Sequence, residues 1–190
     1  MTTRYAIFDT AIGPCAIVWG DQGIIGSQLP LPSERQTRLR VLQRFPDVEE
    51  TAPPPDVANV MTSVKALLDG EARDLSDVAL DMSDVPEFNQ QVYALARRIP
   101  PGATKSYGDI ASELGDATIA RAIGQAMGQN PFAPIVPCHR VVGASGKPGG
   151  FSASGGLDTK LRMLTIEKAR LNDIPSLFDD LPYAARPRAS

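Results

Sequence analysis

The chain has a single histidine, His139, only two cysteines, Cys15 and Cys138, one tryptophan, and 6% aromatic residues among its 190 positions. Each scarcity excludes something. Two cysteines cannot staple a disulfide framework, and in a reducing compartment they are free thiols. One histidine and two widely separated cysteines, with no CxxC or HxxxH spacing, leave no zinc site to build. No apolar run approaches the roughly 20 residues that a membrane helix needs. The start, MTTRYAIFDT, lacks a charged segment followed by an apolar core. The expectation is a cytoplasmic protein with no metal and no membrane partner. What the chain does have, 43% hydrophobic and 22% charged residues, is the balance of an ordinary folded protein. Its length accommodates one ample domain or two small ones sharing an interface.

The net charge of −3 conceals an asymmetry. Residues 1–94 carry 7 Lys/Arg against 14 Asp/Glu, whereas residues 95–170 carry 10 against 5. An acidic half joined to a basic half is the pattern expected when one face meets a phosphate backbone, although ordinary surface scatter produces similar counts.

Apolar runs and turn residues alternate through the first thirty positions. RYAIFDT, CAIVW and IIGSQL read as three strands joined by tight turns. Residues 33–45 have helical character, with Leu39 and Leu42 as the expected buried positions. After the prolines at 53–55, Val57, Val60, Met61, Val64, Leu67 and Leu68 recur at helical steps and Gly70 stops the run. DVALDM reads as a further strand. This half is expected to be a small antiparallel sheet with helices packed on it.

The character changes at Pro86. PEFNQQVYALARRI is amphipathic, with Phe88, Val92, Leu95 and Ile99 on one face. Two short helices at about 107–114 and 118–127, separated by Gly115 and Asp116, have the spacing of a helix-turn-helix, which also occurs in purely structural hairpins. Asn130-Pro131 ends the second helix. The apolar stretch PIVPCHRVV and a glycine-rich loop, GASGKPGGFSASGG, lead to a last helix at about 157–170. The fold class is therefore α+β, with residues 1–85 and 86–171 as two parts and 172–190 as a peripheral tail.

Cys138 and His139 carry the candidate chemistry. A thiolate is a strong nucleophile at neutral pH, and a histidine can take its proton. The plain alternative is a small buried cysteine beside a packed histidine. Pro137 fixes the approach into the pair, and the glycine-rich loop follows within a dozen residues. Adjacent side chains diverge in strands and helices alike, so a water bridge suits the pair better than a direct hydrogen bond. An imidazole base also wants a carboxylate on its other nitrogen, for which Glu167 is the candidate.

Taken together, RRIPPGATKSYGDIASELG, ARAIGQAMGQNP, IVPCHRVVG and GG followed by LRMLTIE strongly resemble the O6-alkylguanine-DNA alkyltransferases, over about residues 86–170. The resemblance implies repair of alkylated double-stranded DNA without a cofactor, by a monomer that is consumed in one turnover. It makes Cys138 the alkyl acceptor, activated by His139 through water and Glu167. It places Asn130 at a hinge, Tyr107 as hydrogen-bond donor to the guanine ring, and Lys160 near the active site. Arg121 would enter the base stack from a low helix face formed by Ala120, Ala122 and Gly124. Val141, Phe151, Ser152, Ala153 and Ser154 would line the lesion. Ile119 departs from the smaller residue usual on that helix, and the glycine loop is about two residues longer than the GYSGG-like form. A cysteine hydrolase and a lesion-binding protein without transfer are the rival readings.

Overall fold

The period-two alternation of the first thirty residues folds as expected. In the computed structural model, which describes residues 3–153 and 155–169, β1 (Arg4–Thr10), β2 (Gly13–Gly20) and β3 (Gly23–Gln28) form an antiparallel meander. Alternation assigns the two faces of β2. Cys15, Ile17 and Trp19 join the main core, while Ala16 and Val18 pack with Tyr5 and Val41 under the first helix.

Two expectations for this half are corrected. The sheet is mixed, because a two-residue strand, β4 (Glu49–Glu50), pairs parallel to β1 at the far edge. No hydrophobic pattern could announce it. It is held by polar contacts, with the Tyr5 hydroxyl donating to Glu50 at 2.9 Å and Arg38 donating to both of its oxygens. DVALDM is not a strand but a single parallel bridge from Leu80 to Ile24. Gly23 (φ +131°) makes this approach possible, since a Cβ there would lie 2.7 Å from the Ala79 carbonyl oxygen.

The first helix, α1 (Glu34–Arg44), starts at Ser33, whose hydroxyl accepts from the Gln36 N–H. It buries Thr37 and Val41 and leaves Leu39 and Leu42 48% and 37% exposed, reversing the expectation. A polar residue fixes its rotation. Thr37 donates its hydroxyl to the Pro14 carbonyl and accepts from the Leu31 N–H, which turns the 37/41 face inward. The helix α2 (Pro55–Leu68) buries Val57, Val64, Leu67 and Leu68 and ends before Gly70.

The second half is helical. α3 (Glu87–Arg97) buries Val92, Tyr93 and Ala96, and the Tyr93 hydroxyl donates to the Ala126 carbonyl at 2.9 Å. α4 (Tyr107–Glu113) opens with a capping box between Ser106 and Asp109. Gly115 (φ +89°) turns the chain, and a 3-10 turn at Ala117–Ile119 leads into α5 (Ala120–Gly128). Ile119 is half-buried and packs against the core. β5 (Lys105–Ser106) and β6 (Val141–Val142) form a short parallel pair, and α6 (Gly156–Ile166) closes the described chain with Glu167 as its C-cap. Arg170 and the expected tail at 172–190 lie outside the described residues.

One hydrophobic cluster runs through both halves, from Cys15 and Ile17 to Tyr93, Phe132 and Met163. Polar bonds reinforce the junction. Ser27 donates its N–H to the Pro131 carbonyl and its hydroxyl to the Ala133 carbonyl, at 2.8 and 2.6 Å. No helix among the described residues is long and apolar enough to cross a membrane.

Candidate active site

Asn130 sets the site. It follows α5 and precedes Pro131, so the helix cannot continue. Its amide oxygen accepts from the Phe132 N–H (2.9 Å) and its amide nitrogen donates to the Val136 carbonyl (2.8 Å), closing residues 130–136 into a loop. That loop delivers Cys138 at the start of a 3-10 turn, Cys138–Arg140, whose three side chains are all buried.

Behind Cys138 stands a charge network. His139 Nε2 lies 2.9 Å from one oxygen of Glu167, and Arg140 grips both oxygens of the same carboxylate at 2.8 and 2.9 Å. Arg140 also donates to the Ile99 carbonyl, and the Gly102 N–H donates to Glu167 at 3.4 Å. Burial works against the Glu167 charge, but His139 and Arg140 outweigh it and hold the carboxyl at about 2. An ionised carboxylate only accepts, so the proton on His139 sits at Nε2. Burial pushes His139 below its ordinary value and keeps it neutral, leaving Nδ1 as a buried acceptor with no protein partner among the described residues. The network therefore leaves an unpartnered basic nitrogen on the residue that follows Cys138.

Burial pushes the Cys138 thiol up from its ordinary value. Hydrogen bonding from Asn130, the charge of Lys160, and the N–H groups of Cys138 and His139 oppose burial without overturning it. Lys160 is fully buried, donates to the Val141 carbonyl at 2.6 Å, and faces the Tyr107 ring at 5.9 Å. Burial lowers Lys160 to about 8.

In front of Cys138 opens a cavity of about 560 Å³, bounded by Tyr107, Ala120, Arg121 and Gly124 on one side and Phe151 and Ser152 on the other. Arg121 is exposed at its rim. The Tyr107 ring reaches across to the glycine loop: a Cβ on Gly149 (φ +70°) would lie 3.1 Å from its hydroxyl oxygen. The structure thus brings together Cys138, His139, Glu167, Asn130, Tyr107, Lys160, Arg121, Ala120, Gly124, Phe151 and Ser152. Ala122 and Val141 do not line this cavity; Val141 is buried in β6 and supports Lys160 from behind. Ala153 lies toward a second cavity, and Ser154 lies outside the described residues. Arg140, which anchors Glu167, was missed by sequence reasoning. The available signal was its place in the PCHRV string, directly after the candidate base.

Residues 87–169 match the family model described as 6-O-methylguanine DNA methyltransferase, DNA binding domain. The methylated-DNA–protein-cysteine methyltransferase of Mycobacterium bovis is 38% identical over 179 residues, spanning 93% of this chain and 99% of the relative. Its counterpart from Methanosarcina acetivorans is 33% identical over 163 residues, spanning 86% and 97%. Among solved structures, Mycobacterium tuberculosis OGT in complex with DNA matches with a TM-score of 0.68 at 33% identity, covering 86% of this chain and 92% of that one. The chain belongs to the methylated-DNA–protein-cysteine methyltransferase family.

Proposed function

We propose that this protein repairs O6-alkylguanine in duplex DNA by transferring the alkyl group to Cys138, once per molecule. The observation that supports this most directly is the placement of Cys138, which lines an open cavity under the helix-turn-helix and is followed directly in the chain by His139 of the His139–Glu167–Arg140 network. The thiol proton passes through a bridging water to His139 Nδ1, and Glu167 stabilises the imidazolium formed. The thiolate then attacks the alkyl carbon in line with the departing guanine oxygen. Carbon–sulfur bond formation breaks the carbon–oxygen bond, and the electron pair stays on the guanine. Tyr107, at the cavity wall, donates to the ring as negative charge develops there. The resulting thioether is stable, so the protein is consumed.

A lesion inside a duplex is out of reach of a thiol at the bottom of a cavity, so the nucleotide must be flipped out at a cost of a few kcal/mol. Arg121 stands at the rim on a helix whose neighbouring positions are Ala120, Ala122 and Gly124, and we assign it the space the nucleotide vacates. Phe151, Ser152 and Ala153 contact the lesion from the loop side. Lys160 and Asn130 position the thiol, and Val141 positions Lys160. Residues 1–85 are the supporting part and 86–171 the part that binds DNA and reacts. We read the protein as a monomer, and a cytoplasmic location suits a free thiol.

Intact-mass analysis after incubation with a duplex containing O6-methylguanine tests the reading. One added methyl, mapped to Cys138, is expected. Repeated turnover would indicate a hydrolase, and tight DNA binding without mass gain a lesion-binding protein.

A further inference from the structure

Cys138 also borders a second cavity of about 290 Å³, on the side facing the sheet. Gly128, Cys138, Phe151 and Ser152 line both cavities, and the second is also lined by Gln28 and two arginines of α1, Arg40 and Arg44. These arginines differ from their neighbour. Arg38 is neutralised by Glu34 and Glu50 at 3.0 and 2.9 Å. Neither Arg40 nor Arg44 pairs with a carboxylate among the described residues, and no Asp or Glu lines the cavity. Arg44 is held in place, donating to the Ser27 carbonyl at 2.8 Å and to Gln28 Oε1 at 3.2 Å, with its guanidinium 5.2 Å from the Phe45 ring centre. Burial and the nearby Arg40 both work against its charge. Two like charges, one of them half-buried and fixed, form a receptor for an anion.

Because the cavity reaches Cys138, a short chain on the reacting carbon would extend into it. We propose that this cavity holds the alkyl arm of the lesion and that Arg40 and Arg44 make the site prefer arms ending in a carboxylate over neutral arms of the same size. The inference rests on Cys138 accepting alkyl groups from guanine O6. A carboxylate beside the attacking thiolate would otherwise repel it, and the guanidiniums offset that repulsion. In the reaction the Cys138 sulfur bonds to the methylene carbon, the carbon–oxygen bond breaks with its electron pair left on guanine, and the proton lost by the thiol is matched by one gained at the guanine ring nitrogen. The product is S-carboxymethylcysteine.

The test measures single-turnover transfer from O6-carboxymethylguanine and from its neutral amide, O6-carbamoylmethylguanine, each as the free base and in a duplex. O6-methylguanine serves as reference. The wild type is expected to favour the carboxylate roughly fivefold or more, the scale of one charge-assisted contact at a partly exposed site. In Arg40→Ala, Arg44→Gln and the double variant the ratio should fall to about one or below. Measuring the ratio within each variant removes any general loss of fold. A wild-type ratio of one, or a ratio unchanged in the variants, overturns the proposal. Equal losses on all three lesions in the duplex, with none on the free bases, would assign the arginines to DNA phosphates and also overturn it. Failure of the wild type to take even the methyl group would instead defeat the reading on which the inference rests.

Discussion

Each half of the molecule buries one cysteine, and the contrast between them shows what makes a thiol chemically useful. Cys15, in β2, and Cys138, after α5, are 2% and 6% exposed, and burial pushes both thiols up. Cys15 rises to about 12, and the Thr10 hydroxyl at 3.7 Å counteracts the rise. For Cys138 the rise is opposed by Asn130, Lys160 and two backbone N–H groups, the next residue carries the unpartnered Nδ1 of His139, and two cavities are lined by the cysteine. Burial alone makes a cysteine inert; a buried thiol with an acceptor behind it and open space before it can react.

The sharpest way to break this comparison is to remove each thiol in turn. Cys138→Ser is expected to abolish methyl transfer while lesion binding persists, because an alcohol offers no usable anion at neutral pH. Cys15→Ser should leave one methyl per molecule, read by intact mass. A methyl on Cys15 would erase the distinction.

The next effect concerns the acceptor. His139→Gln is expected to slow single-turnover transfer to free O6-benzylguanine roughly a hundredfold at neutral pH, the range of a lost general base. The rate should recover as pH rises and the thiol ionises without help. Glu167→Gln should slow transfer in the same direction, non-additively with His139→Gln, since both act on one proton relay. It should also destabilise the fold by about 3–5 kcal/mol, because Arg140 keeps a buried charge without its partner. A pH–rate profile identical in wild type and His139→Gln would leave His139 only a structural role.

A smaller effect separates access from chemistry. Arg121→Ala should slow repair in duplex DNA about tenfold or more, reflecting the few kcal/mol that flipping costs, and barely change the reaction with the free base. Equal losses on both would move Arg121 out of the DNA interface.

The mildest test is acid stability. Glu167 is held at about 2, below its ordinary 4.5, so its contribution is full above 4.5 and is lost as pH falls toward 2. His139 is held neutral below its ordinary 6.5, so the unfolded chain takes up a proton first and stability already declines as pH drops through 6.5. Urea denaturation at a series of pH values should show this decline, and His139→Gln should remove its upper part. A flat response between pH 7 and 5 would contradict the buried neutral imidazole.

The sequence by itself determined the elements whose pattern is local. Alternation in β2, the helical repeat of α2 and the Gly115 turn before α5 are properties of a few neighbouring residues, and the PCHRV string placed nucleophile, base and Arg140 side by side. Tertiary structure alone decided what depends on distant partners. The rotation of α1, with Val41 inward and Leu39 outward, follows from Thr37 bonding to Pro14 and Leu31. The two-residue strand β4 exists because Tyr5 and Arg38 hold Glu50. The clamp of Arg140 on Glu167 and the approach of Arg44 to the far side of Cys138 join residues 27 or more positions apart, in a geometry no local pattern encodes. How deeply Cys138 and His139 are buried, and hence the push of both groups toward their neutral forms, is likewise a tertiary property.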